Sequence, residues 1–149
     1  MLPVYKPCQN SYTIKTGATL RLQSTGFPNG YEMYTFCTYL VEAAEGTRAS
    51  VVFYDFDLED FYDYLEVGNG NNPGDRDSVI GRFDGSTMPS NLQAEGNSLW
   101  MFFYADYAVS GRGFSVGISA NDPGILPFLI VQYVVQYVVK GKATEINRL

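Results

Sequence analysis

The sequence predicts an all-β protein folded as an antiparallel β-sandwich, and three observations support this. Short apolar runs recur between turn-forming Gly, Pro, Asn and Asp residues. Tyrosine and phenylalanine, which favour strands, are abundant, with 12 and 10 copies in 149 residues. No stretch has a convincing helical period. Short strands at a spacing of roughly 8–12 residues are typical of sandwiches and barrels, and we favour the sandwich.

Seven segments have the pattern of strands. TLRLQS at 19–24 alternates between polar and apolar side chains, and FSVGIS at 114–119 does the same, as a strand with one buried face does. SLWMFFYA at 98–105 is apolar on both faces, which predicts a central strand. The other four are TFCTYLVE at 35–42, SVVFYDF at 50–56, YDYLEV at 62–67 and SVIGRF at 78–83.

The C-terminal residues 121–149 differ in composition from the rest. Residues 125–139 are apolar but too short for a membrane span, which needs about 20 residues, and they include Gln132 and Gln136. We therefore predict an extra strand or the start of a following segment here, and we do not expect a membrane partner.

Composition excludes several classes of function. The net charge of −6 argues against nucleic acid as a partner, because binders of phosphate backbones need clustered Lys and Arg. Anionic lipid is disfavoured for the same reason. The chain has no histidine, so histidine-based triads and metal sites are excluded.

Two cysteines, Cys8 and Cys37, are present. In a reducing compartment they would be buried thiols, and in an oxidising one they would form a bridge that stabilises the fold by roughly 2–4 kcal/mol. The N-terminus MLPVYKPCQN lacks the apolar core of a signal peptide, so a secreted form would be a fragment or a mature module.

The stretch FDLEDFYDYLEV at 56–67 groups five carboxylates among apolar and aromatic side chains. Glu59, Asp60 and Asp63 repel one another at this density. Either they point outward from a solvated turn, or a cation holds them together. The stretch lacks the fixed ligand spacing of an EF-hand loop, so taken alone it favours the solvated turn.

A series of elements in fixed order resembles the CUB domain family over residues 8–120. They are a first cysteine, a turn with Pro and Tyr, a second cysteine on a strand, FDLE, YDYLEV with a Gly-rich turn, GRFDG, a long strand that ends in an aspartate, and GF. In this sequence they correspond to Cys8, 27–31, Cys37, 56–59, 62–70, 81–85, Asp106 and 113–114.

The resemblance implies a CUB-type jelly roll of two antiparallel sheets in an extracellular, secreted protein. It also implies a disulfide between Cys8 and Cys37, the family's first cysteine pair. A second disulfide of many members is missing, because Phe61 and Asp84 stand near its two positions. The chain is therefore similar to one-disulfide members.

The resemblance further implies a calcium site with Glu59, Asp63 and Asp106 as ligands. Calcium takes six to eight oxygen ligands in flexible geometry, so three carboxylates, carbonyl groups and water would suffice. Backbone carbonyls are expected from residues 107–109. Such an ion would offset the repulsion among the acids and reverses our preference for the solvated turn.

Two details of this expected site concern neighbouring residues. Calcium-binding members carry a tyrosine in the turn before the second cysteine, where it orients the glutamate, and the match places Phe27 there. The acids Asp55, Asp57 and Asp60 are alternative ligands.

The function implied is a non-catalytic extracellular module that binds a partner protein in a calcium-dependent manner, through a Lys or Arg that meets the carboxylates. Tyr62, Tyr104 and Tyr107 could add contact area, although we predict each to be a core or cross-strand residue. Asp63 and Asp106 could form a catalytic carboxylate pair, but no histidine or free reactive cysteine is present to assist.

Two further functions stay open. Some single-domain members of the family bind carbohydrate, with aromatic platforms and amide groups in place of a charged docking point. The tail strand at 125–149 could also pair with another chain and make the protein an assembly module.

Overall fold

Two sheets pack face to face around one apolar core in the computed structural model, which describes residues 6–122. In chain order the strands are β1 Lys6–Ile14, β2 Thr19–Gln23, β3 Thr35–Ala43, β4 Arg48–Asp57, β5 Tyr64–Asn69, β6 Val79–Phe83, β7 Leu92–Gln93, β8 Ser98–Ala105 and β9 Gly113–Asn121, with a 3₁₀ helix at Arg76–Ser78. One sheet has the order β1-β3-β8-β5-β6 and the other β2-β9-β4-β7. The predicted β-sandwich is confirmed.

All seven predicted strands are present, but β1 and β7 were not predicted. The sequence of β1, KPCQNSYTI, includes Pro7 and Asn10 and has no clear alternation, which is tolerated because β1 is an edge strand. This strand also departs from the antiparallel pattern, because it pairs in parallel with β3. β7 has only two residues and gives no pattern in the sequence.

The core is formed by alternate residues from both sheets. Along β8, Leu99, Met101 and Phe103 are fully buried, and this strand lies in the centre of its sheet as predicted. From the facing sheet, β9 contributes Phe114 and Val116, whose side chains are also fully buried. Edge-to-face ring contacts such as Phe103–Phe114, with centroids 5.3 Å apart, join the two layers.

The disulfide Cys8–Cys37 joins β1 to β3, and the two cysteines are directly opposite each other in the parallel register. The two cysteines are separated by 29 positions in the sequence, and all of β2 lies between them. The disulfide thus fixes the edge strand to the sheet by a covalent bond, in addition to its ladder of hydrogen bonds.

Trp100 is fully buried although its position on β8 places it on the outer side of the sheet. It is opposite Gly68 of β5, and its indole lies where a Cβ of residue 68 would be. The loop at 70–78 covers the indole, and Trp100 Nε1 donates to Ser78 Oγ at 3.0 Å. A glycine on one strand thus lets an aromatic ring of the next strand lie flat against the backbone.

The topology brings three loops to the same end of the sandwich. Because β4 runs antiparallel to β9, and β5 runs antiparallel to β8, the β4–β5 loop and the β8–β9 loop share that end. The β2–β3 loop is also there, since the N–H of Tyr34 donates to the carbonyl of Asp106 at 2.7 Å. Side chains from three separate parts of the chain can therefore meet.

The predictions for the C-terminal tail cannot be compared with this fold, because residues 125–149 lie outside the described part of the chain. Within residues 6–122 there is no helix of the length and apolarity that a membrane span requires.

We predict that Gly68→Ala destabilises the protein by about 1–3 kcal/mol, because the new methyl group displaces the indole of Trp100. Gly96→Ala is the matched control, since a Cβ at Gly96 meets no atom within 4 Å. We expect this control to be neutral or slightly stabilising. Urea denaturation measures both changes, and equal effects of the two substitutions would contradict the proposed packing.

Candidate metal centre

The predicted ligands are on two of the three loops at this end of the sandwich. Glu59 and Asp63 are in the β4–β5 loop, and Asp106 directly follows β8. One carboxylate oxygen from each residue can be chosen such that all three lie within 4.8 Å of one another. The structure therefore brings the three acids together, as a shared cation would require.

Asp63 is the buried member of this acidic cluster of Glu59, Asp63 and Asp106. Its residue surface is 1% exposed, whereas Glu59 and Asp106 are half-buried. The hydroxyl of Tyr31 donates to Asp63 Oδ2 at 2.6 Å, and the N–H of Asp106 donates to Asp63 Oδ1 at 2.8 Å. Both oxygens thus have a partner, as a buried carboxylate needs.

Tyr31 connects the β2–β3 loop to the acidic cluster. The sequence match placed Phe27 at the position that orients the glutamate, and this was wrong, because Tyr31 has that role in the structure. The hydroxyl of Tyr31 donates to Asp63 and accepts from the N–H of Glu59 at 3.0 Å, so the glutamate loop is oriented by a tyrosine after all. The ring is 4% exposed and packs edge-to-face on Phe103 at 5.1 Å. In the sequence, Tyr31 could have been found as the second aromatic residue of the FPNGY turn at 27–31.

The ionisation of the cluster shows how crowded its charges are. Burial, followed by repulsion from Asp63 and Asp106, raises the pKa of the Glu59 carboxyl. Burial also raises the pKa of Asp63, although the hydrogen bond from Tyr31 acts in the opposite direction. The pKa of Tyr31 is raised by burial and by its bond to Asp63, so this hydroxyl stays protonated and remains a donor.

One oxygen in the cluster lacks a partner. Glu59 Oε2 is buried, and within residues 6–122 no group donates a hydrogen bond to it. A buried carboxylate oxygen without a donor is costly, and a proton or a cation can relieve that cost. Three hard oxygen donors with one unsatisfied oxygen match the ligand preference of calcium, so the residues fit this ion.

The other acids of the region are engaged elsewhere. Asp55 and Asp57 at the end of β4 both bind the guanidinium of Arg112, with the shortest contact 2.9 Å from Nη2 to Asp55 Oδ1. This pairing lowers the pKa of Asp55. The pairing also connects the β8–β9 loop to β4. Asp55 and Asp57 therefore stabilise the loops of the site without belonging to the acidic cluster. The carboxylate of Asp60 lies beside Gly85, and Asp60 is not a member of the cluster.

Asp84 anchors the loop that carries two of the predicted ligands. Its Oδ2 accepts from the N–H of Phe61 at 3.0 Å, and the next residue, Gly85, accepts from the N–H of Leu58 at 2.9 Å. The loop is therefore fixed at the place where many family members would have their second disulfide.

The two loops that carry the acids also carry exposed apolar side chains. Phe61 is 87% exposed and has a left-handed backbone, with φ of 71°. Tyr62, Tyr107 and Val109 are 63–67% exposed. The prediction that Tyr62 and Tyr107 are core or cross-strand residues was wrong, because they lie in loops. For Tyr104, which stacks on Tyr64 of the neighbouring strand at 5.3 Å, the prediction is confirmed.

Comparison with known proteins agrees with this architecture. The family model of the CUB domain matches residues 8–117. The chain belongs to the CUB domain family. CUB domains are extracellular protein-interaction modules and are generally non-catalytic.

Relatives of this CUB domain include much longer proteins. Cubilin of Canis lupus familiaris is 33% identical over 105 residues, which are 68% of this chain and 3% of cubilin. Neuropilin-1 of Xenopus laevis is 35% identical over 109 residues, which are 70% of this chain and 12% of neuropilin-1. The chain thus spans a small part of the length of these relatives.

A solved structure of similar size comes from another protein of the family. The MASP-1 CUB2 domain bound to Ca²⁺ matches 72% of this chain and 97% of its own, with 27% identity and a TM-score of 0.61. In that protein the domain binds calcium.

We predict that Tyr31→Phe destabilises the calcium-free protein by about 1–2 kcal/mol, because Asp63 loses a donor and the N–H of Glu59 loses its acceptor. Tyr39→Phe is the matched control, since Tyr39 is also 4% exposed and its hydroxyl has no hydrogen bond among the described residues. Urea denaturation in EDTA should show a clear loss for Tyr31→Phe alone. Similar losses for both variants would mean that the hydroxyl of Tyr31 does not support the cluster.

Proposed function

We propose that this CUB domain is a non-catalytic extracellular module that recognises a partner protein in a calcium-dependent manner, with Glu59, Asp63 and Asp106 as side-chain ligands of the ion. The observation that carries the proposal is the convergence of these three carboxylates within 4.8 Å, together with the buried, unpaired Oε2 of Glu59. The calcium-bound MASP-1 CUB2 domain, which shares the fold, supports it.

A solvated acidic turn explains this geometry less well than a bound cation. In such a turn the carboxylates would point away from one another into water, where their repulsion is small. Here Asp63 is buried and Glu59 is directed towards it, so their charges meet in a medium of low polarity. Calcium removes the repulsion, and carbonyl groups of residues 107–109 with water would complete its coordination.

The surroundings of the acids favour a protein as the partner. The apolar rim, which we define as Phe61, Tyr62, Tyr107 and Val109, is carried by the two ligand loops and is largely exposed. Exposed aromatic side chains beside a fixed charge are typical of the energetic centre of a protein interface. The carboxylates would receive a Lys or Arg of the partner, and the rim would pack against the apolar residues that flank this cation.

We predict that calcium raises the melting temperature of the protein and that Asp106→Asn abolishes the rise. Extracellular modules bind calcium with Kd of about 10⁻⁴–10⁻³ M. A tenfold excess of the ion over Kd then stabilises by about 1.4 kcal/mol, or roughly 3–6 °C. A thermal melt in EDTA and across a calcium titration measures this rise.

Asp60→Asn is the control for this titration, because it removes one negative charge next to Glu59 but outside the cluster. We expect it to keep the calcium response. Equal melts in EDTA and in saturating calcium for the unsubstituted protein would refute the proposed ion site.

Recognition of a cation flanked by apolar side chains can be tested with a short probe. We predict that the peptide acetyl-Leu-Lys-Leu-amide shifts the amide NMR signals of residues 59–63 and 106–109 when calcium is present, and not in EDTA. The same peptide with acetylated lysine is the control, because it keeps both leucines but has no positive charge. Equal shifts with both peptides would show that the acids do not receive a cation.

A further inference from the structure

Two asparagines in this chain are followed directly by glycine, in the pairs Asn29–Gly30 and Asn69–Gly70. Such a pair is chemically labile, because glycine has no side chain and its backbone nitrogen can closely approach the side-chain carbonyl of the asparagine. The nitrogen then displaces ammonia, and the asparagine is converted to an acid. Because both pairs have the same two residues, a difference in their reactivity in the folded protein comes mainly from their surroundings.

The fold holds both reacting groups of the Asn69–Gly70 pair. Asn69 is the last residue of β5 and is opposite Leu99 of β8. Its Oδ1 accepts from the N–H of Glu95 at 2.8 Å. The N–H of Gly70, which contains the attacking nitrogen, donates to the carbonyl of Ser98 at 3.0 Å. Ring closure at this pair therefore requires that both hydrogen bonds break and that the end of the strand leaves its ladder.

The same groups are free in the Asn29–Gly30 pair. Both residues lie in the β2–β3 loop, and the side chain of Asn29 is exposed. Within residues 6–122 neither this side chain nor the N–H of Gly30 forms a hydrogen bond. The N–H of Asn29 donates to the carbonyl of Gly26 at 2.8 Å, but this group takes no part in the reaction. Ring closure at Asn29 therefore breaks no hydrogen bond of the reacting groups.

We propose that Asn29 is a site of spontaneous deamidation in this domain and that the fold protects Asn69. The backbone nitrogen of Gly30 loses its proton to water and attacks Cγ of Asn29. A bond forms between this nitrogen and Cγ, the bond from Cγ to Nδ2 breaks, and the leaving amide nitrogen takes a proton and departs as ammonia. The resulting succinimide is opened by one water molecule at either of its two carbonyl groups, which gives aspartate or isoaspartate. The sum is a hydrolysis, with no change of oxidation state.

Both products add a negative charge near an existing ion pair. Asn29 lines a cavity of about 290 Å³ together with Asp57 and Arg112. The guanidinium of Arg112 already binds Asp55 and Asp57, so a third carboxylate can share this cation but does not replace a missing partner. Because residue 29 is exposed, the added charge alone should change stability little.

The isoaspartate product also changes the length of the backbone. It inserts one methylene group into the main chain two residues before Tyr31. The hydroxyl of Tyr31 donates to Asp63 and accepts from the N–H of Glu59, while its buried ring packs on Phe103. A longer backbone displaces this side chain, because the ring has no free space around it. Isoaspartate at position 29 therefore weakens the link between the β2–β3 loop and the acidic cluster.

The site is tested by ageing the full chain at neutral pH in EDTA and in water enriched in heavy oxygen, followed by peptide mass spectrometry. Opening of the succinimide incorporates one heavy oxygen atom, so only deamidation during the incubation is counted. We expect Asn29 to react about tenfold faster than Asn69, because two hydrogen bonds hold the second pair. The same chain unfolded in urea is the control, and there the two rates should become similar.

The consequence for the acidic cluster is measured by urea denaturation in EDTA. We expect the isoaspartyl fraction, quantified with an isoaspartyl methyltransferase, to have an unfolding constant about tenfold larger than the fresh chain, because the two hydrogen bonds of the Tyr31 hydroxyl are weakened. Asn29→Asp carries the new charge on a normal backbone and should match the fresh chain. Asn29→Gln closes its ring much more slowly and should keep its stability on ageing.

Three outcomes would overturn the proposal. Equal rates at Asn29 and Asn69 in the folded chain, or no reaction at Asn29, would refute the assignment of the site. An isoaspartyl form as stable as Asn29→Gln would refute the link to Tyr31. Because EDTA is present in every arm, none of these outcomes depends on the proposed calcium site.

Discussion

The buried carboxylate of Asp63 is the interaction on which the end of this domain with the acidic cluster depends. It accepts from the hydroxyl of Tyr31 and from the N–H of Asp106, so one side chain joins three loops that are distant in sequence. An isolated charge at 1% exposure would be very unfavourable, and these two donors make it tolerable. Removing either donor would therefore affect all three loops at once.

The same arrangement creates the need for a cation. The donors satisfy Asp63, but they also bring Glu59 and Asp106 near it, where the pKa of Glu59 rises and its Oε2 finds no donor among the described residues. The fold could have avoided this cost by pairing Glu59 with a basic side chain. Arg112 is on the neighbouring loop, yet it binds Asp55 and Asp57. The basic residue thus stiffens the loop and leaves the cluster open to an ion from solution.

How much of this could be predicted from the sequence differs between the sheets and the site. The inner strands were predictable because the pattern of apolar residues along a strand follows which side chains are buried. The edge strand β1 was not, because the sequence of an edge strand is less restricted by burial. The convergence of Glu59, Asp63 and Asp106 was expected only from the family resemblance, since local acidity alone favoured a solvated turn. Tyr31 was missed because Gly26 and Gly30, both with positive φ, set the path of the turn, and alternation cannot show which aromatic residue points inward.

The absence of a second disulfide changes how the ligand loop is held. In this chain Phe61 and Asp84 are joined by a hydrogen bond from N–H to carboxylate, and the backbone bond from Leu58 to Gly85 supports it. A hydrogen bond restricts a loop less than a covalent bridge, so small movements of Glu59 and Asp63 remain possible. That freedom suits calcium, whose coordination is flexible, better than magnesium, which requires a nearly ideal octahedron.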